Sequence, residues 1–108
     1  MPYKMLSLTI FQSLTISQKY DTLVNLIGDI ETTTNKQLLV CQKLIQVVTQ
    51  PSEKLLIYIY EVILEQLNEY KDNKQKSSQS HFEALKVYIS SQEFLEKAEA
   101  EEILNSLA

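Results

Sequence analysis

The chain contains very little glycine and proline. Of its 108 residues, one is a glycine, Gly28, and two are prolines, Pro2 and Pro51. Tight hairpin turns usually draw on glycine, so a sheet-rich fold would lack turn residues. Hydrophobic residues make up 44% of the chain and charged residues 22%, and both values are ordinary for globular proteins. We therefore predict a single domain over residues 1–108 that is mostly helical.

Arginine is absent, because all ten basic residues are lysines, and the formal net charge is −4. Arginine is the usual side chain for bidentate contacts with phosphate, guanine and carboxylate groups. An acidic protein without arginine is poorly suited to bind the phosphate backbone of a nucleic acid. The composition therefore predicts no nucleic-acid partner.

Cysteine and histidine occur once each, as Cys41 and His81. A lone cysteine cannot form an internal disulfide, and its position in an apolar run predicts a small buried side chain. A metal site needs several ligands at workable spacing, and His81 has no second histidine or cysteine near it in the sequence. One glycine cannot build a glycine-rich phosphate loop. We therefore predict no cofactor, no metal and no enzymatic activity.

No stretch of the chain reaches the roughly 18 consecutive apolar residues that a transmembrane helix needs. Polar residues interrupt the N-terminal segment, residues 1–16, and no small-residue cleavage site follows it. These features indicate a soluble cytoplasmic protein. Within the segment, Leu6, Ile10 and Leu14 have helical spacing, whereas Leu6, Leu8 and Ile10 alternate as in a strand. A short helix is favoured, because no partner strand is visible elsewhere.

The segment from Pro51 to Tyr70 is apolar around most of a helix. One apolar stripe recurs at steps of four and three, and a second stripe lies beside it. The first stripe is Leu56, Tyr60, Ile63, Leu67 and Tyr70, and the second is Leu55, Ile59 and Val62. A helix that is apolar on several sides needs neighbours on several sides. We therefore expect this helix either inside a helical bundle or in contact with another molecule.

Amphipathic patterns predict further helices around this segment. Ser17 is the expected cap of one helix, and Thr33, Thr34 or Asn35 caps the next, which Pro51 stops. Ser52 is the expected cap of the central helix. Ser80 has capping-box spacing and begins a later helix, and Ser90 repeats that spacing, which indicates a kink or a fresh helix near residue 91. The inward stripes of the first two helices are Tyr20, Leu23, Ile27 and Ile30, then Leu38, Cys41, Leu44, Ile45 and Val48.

The loops between these helices are short enough to favour antiparallel neighbours. The predicted architecture is an antiparallel up-and-down four-helix bundle. Its core covers residues 17–95, after a short N-terminal segment of residues 1–16 that forms an extra helix. Residues 96–108 form a C-terminal helix, and whether that helix packs on the bundle is left open.

Part of the apolar surface of the central helix cannot face the same core as Tyr60. Tyr58 lies about 160° from Tyr60 around the helix axis, and Ile57 and Leu64 lie nearer to its side. Tyrosine combines a large apolar body with a polar tip, which makes it common at core rims and interfaces. We therefore predict that Tyr58 and its apolar neighbours mark an interaction surface or a dimer contact.

Four segments in this order resemble the small cytoplasmic immunity proteins of Gram-positive bacteriocin producers, related to the enterocin A immunity group. They are YDTLVNLIGDIE, LLVCQKLIQVV, PSEKLLIYIYEVILEQL and HFEALKVYI, within residues 17–95. The resemblance lies in helix lengths and apolar positions, and it implies a left-turning antiparallel four-helix bundle. The chain has an acidic net charge, whereas many members of that family are basic. The glutamate-rich segment after residue 93 also differs from the family pattern. This difference leaves in doubt which bacteriocin the protein would counter.

The resemblance implies a non-catalytic protein that protects the producing cell from its own pore-forming peptide. In that family the protein acts from inside the cell, on the membrane sugar-transport receptor that has bound the bacteriocin. The docking surface would then extend through the loop that follows the central helix and into the next helix. Its candidate residues are Ile57, Tyr58, Leu64, Lys71, Lys74, Lys76, His81 and Tyr88.

The same pattern also fits a general helical interaction or adaptor protein encoded by a phage or another mobile element. This alternative has the same predicted fold but expects a soluble partner or a stable homodimer. The sequence alone leaves open whether the protein is a monomer or a homodimer.

Overall fold

The computed structural model describes residues 6–30, 32, 34–67, 79–91, 94 and 96–107, and within them every regular element is a helix. The all-α prediction is confirmed, and so is the choice of a helix over a strand in the N-terminal segment. The described helices are α1 Leu8–Ser13, α2 Ile16–Asp29, α3 Lys36–Val47, α4 Glu53–Gln66, α5 Gln79–Ile89 and α6 Lys97–Leu107.

Helix α4 is the central element of the fold, because it contacts α1, α2, α3 and α5. Full burial of one large apolar side chain contributes roughly 1.5–3 kcal/mol, so neighbours on several sides stabilise an apolar helix strongly. Both predicted stripes lie in the core, although Leu67 is only partly buried and Tyr70 lies outside the described residues. The buried residues of α4 are Leu55, Leu56, Ile59, Tyr60, Val62, Ile63 and Leu64.

Helices α2 and α3 bury most of their predicted inward stripes. All five inward positions of α3 are buried, and in α2 only Tyr20 is partly exposed. Helix α3 ends at Val47, before Pro51 is reached. Cys41 is fully buried, as predicted, and burial raises the pKa of its thiol to about 12. The thiol therefore stays protonated and unreactive at neutral pH.

Two of the predicted helix caps are confirmed. The side chain of Asn35 accepts hydrogen bonds from the backbone N–H groups of Gln37 and Leu38, at 3.0 and 3.1 Å. The hydroxyl of Ser52 accepts one from Leu55 N–H at 3.1 Å. Each cap satisfies backbone donors that have no partner inside the helix.

The predicted cap at Ser17 is wrong, because α2 begins two residues earlier with Thr15 as its cap. The hydroxyl of Thr15 accepts a hydrogen bond from Gln18 N–H at 3.1 Å, and the Gln18 side chain accepts one from Thr15 N–H at 3.0 Å. This reciprocal capping box satisfies two donors at once, whereas Ser17 lies inside the first helical turn.

The apolar residues whose helical spacing favoured a helix, Leu6, Ile10 and Leu14, do not form the buried face of α1. Ile10 is 52% exposed, whereas Phe11 is fully buried. The Phe11 ring stacks on the Tyr60 ring of α4, with centroids 4.0 Å apart and an interplanar angle of 7°. The Tyr60 hydroxyl also donates to the Leu6 carbonyl at 2.7 Å. The aromatic contact therefore joins α1 to α4, and the hydrogen bond joins α4 to Leu6, just before α1 begins.

The C-terminal helix packs on the rest of the protein. Helix α5 ends at Ile89, close to the break expected near residue 91, and α6 begins at Lys97, within the predicted C-terminal helix of residues 96–108. It contacts α3 and α5, and it buries Ala100 and Ile103. The Glu96 carboxylate accepts a hydrogen bond from the Thr49 hydroxyl at 3.0 Å, which connects the start of α6 with the loop after α3.

Lys19 is a fully buried lysine that the sequence pattern does not reveal. Its ammonium group donates to the carbonyls of Gln12, at 3.1 Å, and Leu14, both at the end of α1. It also pairs with the Glu53 carboxylate at the start of α4, at 3.0 Å, where that side chain is 55% exposed. Three acceptors match the three protons of the ammonium group, so the buried charge is fully hydrogen-bonded.

Replacing Gly28 by alanine is expected to raise the free energy of unfolding by about 0.5–1 kcal/mol. Gly28 lies in the last turn of α2 and is exposed, and a methyl group added there would meet no atom within 4 Å. A close helix crossing therefore does not explain the glycine. Urea unfolding followed by circular dichroism measures the change, and a destabilised variant would contradict this reading of the site.

Candidate interaction groove between helices α4 and α5

Tyr58 and Tyr88, both predicted interaction residues, are in contact in the structure. Their ring centroids are 5.3 Å apart, with an interplanar angle of 39°. Tyr58 is half-buried on α4, and Tyr88 is 8% exposed on α5. The Tyr88 hydroxyl lies 2.7 Å from the hydroxyl of Ser52, the residue that caps α4. The two helices run antiparallel, which places the end of α5 beside the beginning of α4.

A shallow groove of about 350 Å³ opens beside this tyrosine pair. Val87 is 70% exposed, the highest value among the exposed large hydrophobic residues of the described chain. Small residues form the rest of the wall, so the groove has room for an apolar side chain from another molecule. The lining residues are Tyr58, Ala84, Val87, Tyr88 and Ser91.

The ring of Tyr88 is held in place from several sides. Phe94 meets it edge to face at a centroid distance of 5.8 Å and an angle of 65°. The ammonium group of Lys54 lies 5.9 Å from its centroid, within the range of a cation–π contact. A ring that is fixed before binding loses little conformational entropy on binding. Tyr88 therefore forms a rigid wall of the groove.

Two apolar residues of the predicted surface lie elsewhere. Leu64 is only 4% exposed and belongs to the core, so it does not line the groove. The physical reason is that α4 has helices on several sides, and the apolar excess that suggested a partner molecule is covered largely by the protein itself. Ile57 is partly buried and packs against the core.

His81 lies on α5 but pairs with α4 outside the groove. Its Nδ1 atom is 3.6 Å from Oε1 of Glu61, and the two side chains are 31% and 20% exposed. Burial raises the pKa of Glu61, while His81 lowers it and Glu65, one turn further along α4, raises it. The predicted contact residues Lys71, Lys74 and Lys76 lie outside the described residues.

Sequence reasoning missed three residues of the groove. Ala84, Val87 and Ser91 recur at steps of three and four, the spacing that places side chains on one helical stripe. That signal was available, but the neighbouring stripe with Leu85 and Ile89 is more apolar and forms the buried face. Sequence spacing does not show which stripe a neighbouring helix covers.

The side chains that line the groove are apolar or aromatic, and those of Tyr58, Tyr88 and Ser91 also carry hydroxyl groups. In the part of the chain that the structure describes, no three histidine, cysteine, aspartate or glutamate side chains lie close enough to hold a metal ion. None of the described helices is both long enough and apolar enough to cross a bilayer.

Comparisons with known proteins return no similarity that assigns the chain to a family. No family model matches it, and neither a curated protein nor a solved structure does.

Proposed function

We propose that this protein is a non-catalytic bacteriocin immunity protein. It acts in the cytoplasm and docks through the α4–α5 groove onto a membrane receptor that has bound the bacteriocin. The four segments quoted above support this proposal through their helix lengths and apolar positions. In this proposal α2, α3, α4 and α5 form the antiparallel four-helix bundle, with α1 and α6 as additions.

The observation that carries the docking site is the exposure of Val87 beside two tyrosines. An apolar side chain that is 70% exposed next to an aromatic wall gains free energy when a partner covers it. Tyrosine is enriched among the residues that dominate binding energy, since it combines apolar area with a hydrogen-bonding tip. Tyr58 and Tyr88 provide the aromatic area beside Val87.

Replacing Val87 by aspartate is expected to remove the protection given by the protein. A carboxylate buried against an apolar partner without a counter-charge costs several kcal/mol, and each 1.4 kcal/mol lowers affinity about tenfold. The measurement is the killing titre of a panel of class II bacteriocins on a sensitive strain that expresses either protein. We expect at least a tenfold lower tolerated concentration for Val87→Asp than for the wild type.

Val24→Asp is the matched control, because Val24 is also an exposed helical valine, 41% exposed on α2. It is expected to protect as well as the wild type. Wild-type protein that protects against no bacteriocin of the panel would contradict the immunity proposal. Equal protection by wild type and Val87→Asp would instead contradict the groove as the docking site.

The alternative is an adaptor that uses the same groove for a soluble partner or for a second copy of the chain. The exposed Val87 fits this alternative equally, because an apolar groove does not specify what covers it. Static light scattering at micromolar concentration separates the two proposals. A stable dimer that Val87→Asp converts to a monomer favours the adaptor, and a monomeric wild type favours immunity.

A further inference from the structure

Three side chains of the α4–α5 groove carry a hydroxyl group, and two of these hydroxyls have partners inside the protein. The Tyr88 hydroxyl lies 2.7 Å from the hydroxyl of Ser52. The Ser91 hydroxyl donates to the Tyr88 carbonyl, also at 2.7 Å. Both groups are therefore hydrogen-bonded within the fold before any other molecule binds.

The third hydroxyl, that of Tyr58, is different. The Tyr58 ring contacts the Tyr88 ring, but among the described residues no donor or acceptor bonds to its hydroxyl. That oxygen is also not a buried atom without a partner, since Glu65 Oε1 is the one such side-chain atom in the described part of the chain. The Tyr58 hydroxyl is therefore open to solvent, and a bound partner can replace the water that satisfies it.

The walls of the groove favour an uncharged group on the partner. None of the five described residues that line it is charged. The ammonium group of Lys54 lies over the face of the Tyr88 ring and is engaged there. A carboxylate that enters such a groove loses its hydration without a counter-charge in the wall, whereas one donor compensates a carbonyl oxygen.

We propose that the groove holds an uncharged peptide segment of the partner, and that the Tyr58 hydroxyl donates to a backbone carbonyl beside the apolar side chain that packs on Val87. This inference rests on the proposed docking role of the groove and names the chemistry of its partner. An exposed loop of the receptor complex offers such a carbonyl, because helices and strands use their own carbonyls internally.

The groove residues then have separate roles in binding. Val87 and the two tyrosine rings provide apolar area, whose contribution does not depend on direction. The Tyr58 hydroxyl provides direction, because a hydrogen bond weakens steeply when its angle departs from linear. Tyr58 is therefore the residue that fixes the orientation of the bound segment.

A small uncharged peptide tests this chemistry directly. N-acetyl-leucine N-methylamide carries one branched apolar side chain between two carbonyl groups. In a titration of the intact protein followed by NMR, we expect saturable shifts at the residues that line the groove, with a dissociation constant of about 1 mM. N-acetyl-leucine, which carries a carboxylate at pH 7, is expected to bind at least about threefold more weakly.

Tyr58→Phe removes the hydroxyl and keeps the ring. We expect it to weaken binding of the uncharged peptide about threefold to tenfold, the effect of one uncharged hydrogen bond. Its unfolding equilibrium constant is expected to change by about twofold or less, because the lost hydroxyl has no partner among the described residues. Tyr88→Phe loses the contact with Ser52 and is expected to raise that constant about fivefold.

Tyr20→Phe is the matched control, because Tyr20 is a partly buried tyrosine on α2, outside the groove. It is expected to bind the peptide as the wild type does. The absence of saturable shifts below about 20 mM, or tighter binding of N-acetyl-leucine, would overturn the uncharged partner. Equal affinity of wild type and Tyr58→Phe would overturn the role of the hydroxyl.

The bacteriocin assay separates this inference from the immunity proposal. Tyr58→Phe is expected to lower the tolerated bacteriocin concentration about threefold to tenfold. Full protection by this variant, where Val87→Asp loses protection, would overturn the role of Tyr58 alone. Peptide binding as expected in a protein that protects against no bacteriocin would contradict immunity and support the chemistry of the groove.

Discussion

Replacing Lys19 by methionine is expected to lower the free energy of unfolding by about 2–4 kcal/mol. Methionine fills nearly the same volume but has no donor. The carbonyls of Gln12 and Leu14 would then lie beside a buried thioether instead of an ammonium group. Urea unfolding at pH 7, followed by circular dichroism, measures the loss.

The size of this effect depends mainly on the two carbonyls. A buried ion pair can often be replaced by apolar residues without loss of stability, because desolvation of the charges offsets their attraction. Here Glu53 is 55% exposed and regains water when Lys19 is removed. The backbone carbonyls are fixed by the end of α1, so they cannot be replaced or moved to solvent without unwinding that helix.

Two further variants test whether the carbonyl contacts of Lys19 contribute more free energy than its ion pair with Glu53. Glu53→Gln keeps an oxygen that can accept from Lys19 and leaves both carbonyl contacts intact, so we expect a loss of only about 1 kcal/mol. Lys97→Met removes an exposed lysine at the start of α6 and is expected to change stability by about 0.5 kcal/mol or less. A Lys19→Met protein as stable as the wild type would show that these hydrogen bonds contribute nothing.

Replacing Phe11 by alanine is expected to destabilise the protein by about 3–5 kcal/mol. Phe11 is fully buried and stacked on Tyr60, so alanine leaves a cavity and removes the aromatic contact. A domain of this size is stable by about 5–15 kcal/mol, so the variant approaches the limit of folding. Thermal unfolding and urea titration measure the loss.

Helix α1 gives this prediction a local readout. A helix of only six residues is not stable in water by itself. We therefore expect Phe11→Ala to expose the amides of α1 to fast hydrogen exchange even where α2 to α6 remain folded. Unchanged protection of α1 would show that other contacts hold it on α4.

Ile10→Ala is the matched control, because Ile10 is the neighbouring residue on α1 and is 52% exposed. Its expected effect is about 0.5 kcal/mol or less. Tyr60→Phe keeps the stacked ring and removes only the hydrogen bond to the Leu6 carbonyl, so we expect a loss of about 1 kcal/mol. A larger loss for Ile10→Ala than for Phe11→Ala would contradict the packing described for α1.

Local features of the sequence predicted much of the helical structure. The spacing of Leu38, Cys41 and Leu44 identified the buried face of α3, Ser52 was predicted as the cap of α4, and Asn35 was one of three candidate caps of α3. These predictions succeed because periodicity and capping depend on residues within one or two turns. Ser17 failed for a local reason also, since the competing capping box of Thr15 was not recognised.

The structure brings together only part of the predicted interaction surface. Tyr58 and Tyr88 do line one groove, but Leu64 is buried, and Val87 was not predicted. The difference at Leu64 arises because apolar excess on a helix has the same pattern whether another helix of the chain or another molecule covers it. Exposure is a property of the assembled fold, and spacing in one helix does not contain it.

Lys19 and Phe11 show the same limit for the core. A lysine in an amphipathic helix is ordinarily placed on the solvent side, and the carbonyls that bind Lys19 belong to another helix. The spacing of Leu6, Ile10 and Leu14 did not include Phe11, because the Tyr60 ring on which Phe11 stacks lies far away along the chain.

By itself, the sequence determined that this protein is helical, where α4 begins, and that α4 is apolar on several sides. Glycine scarcity, capping residues and periodicity are sufficient for these conclusions because each acts through neighbouring residues. Only the tertiary structure decided that other helices of the chain cover most of the apolar surface of α4, that Lys19 is buried, and that Val87 is exposed beside two tyrosines. Those outcomes depend on contacts between distant residues, whose free energies no local pattern specifies.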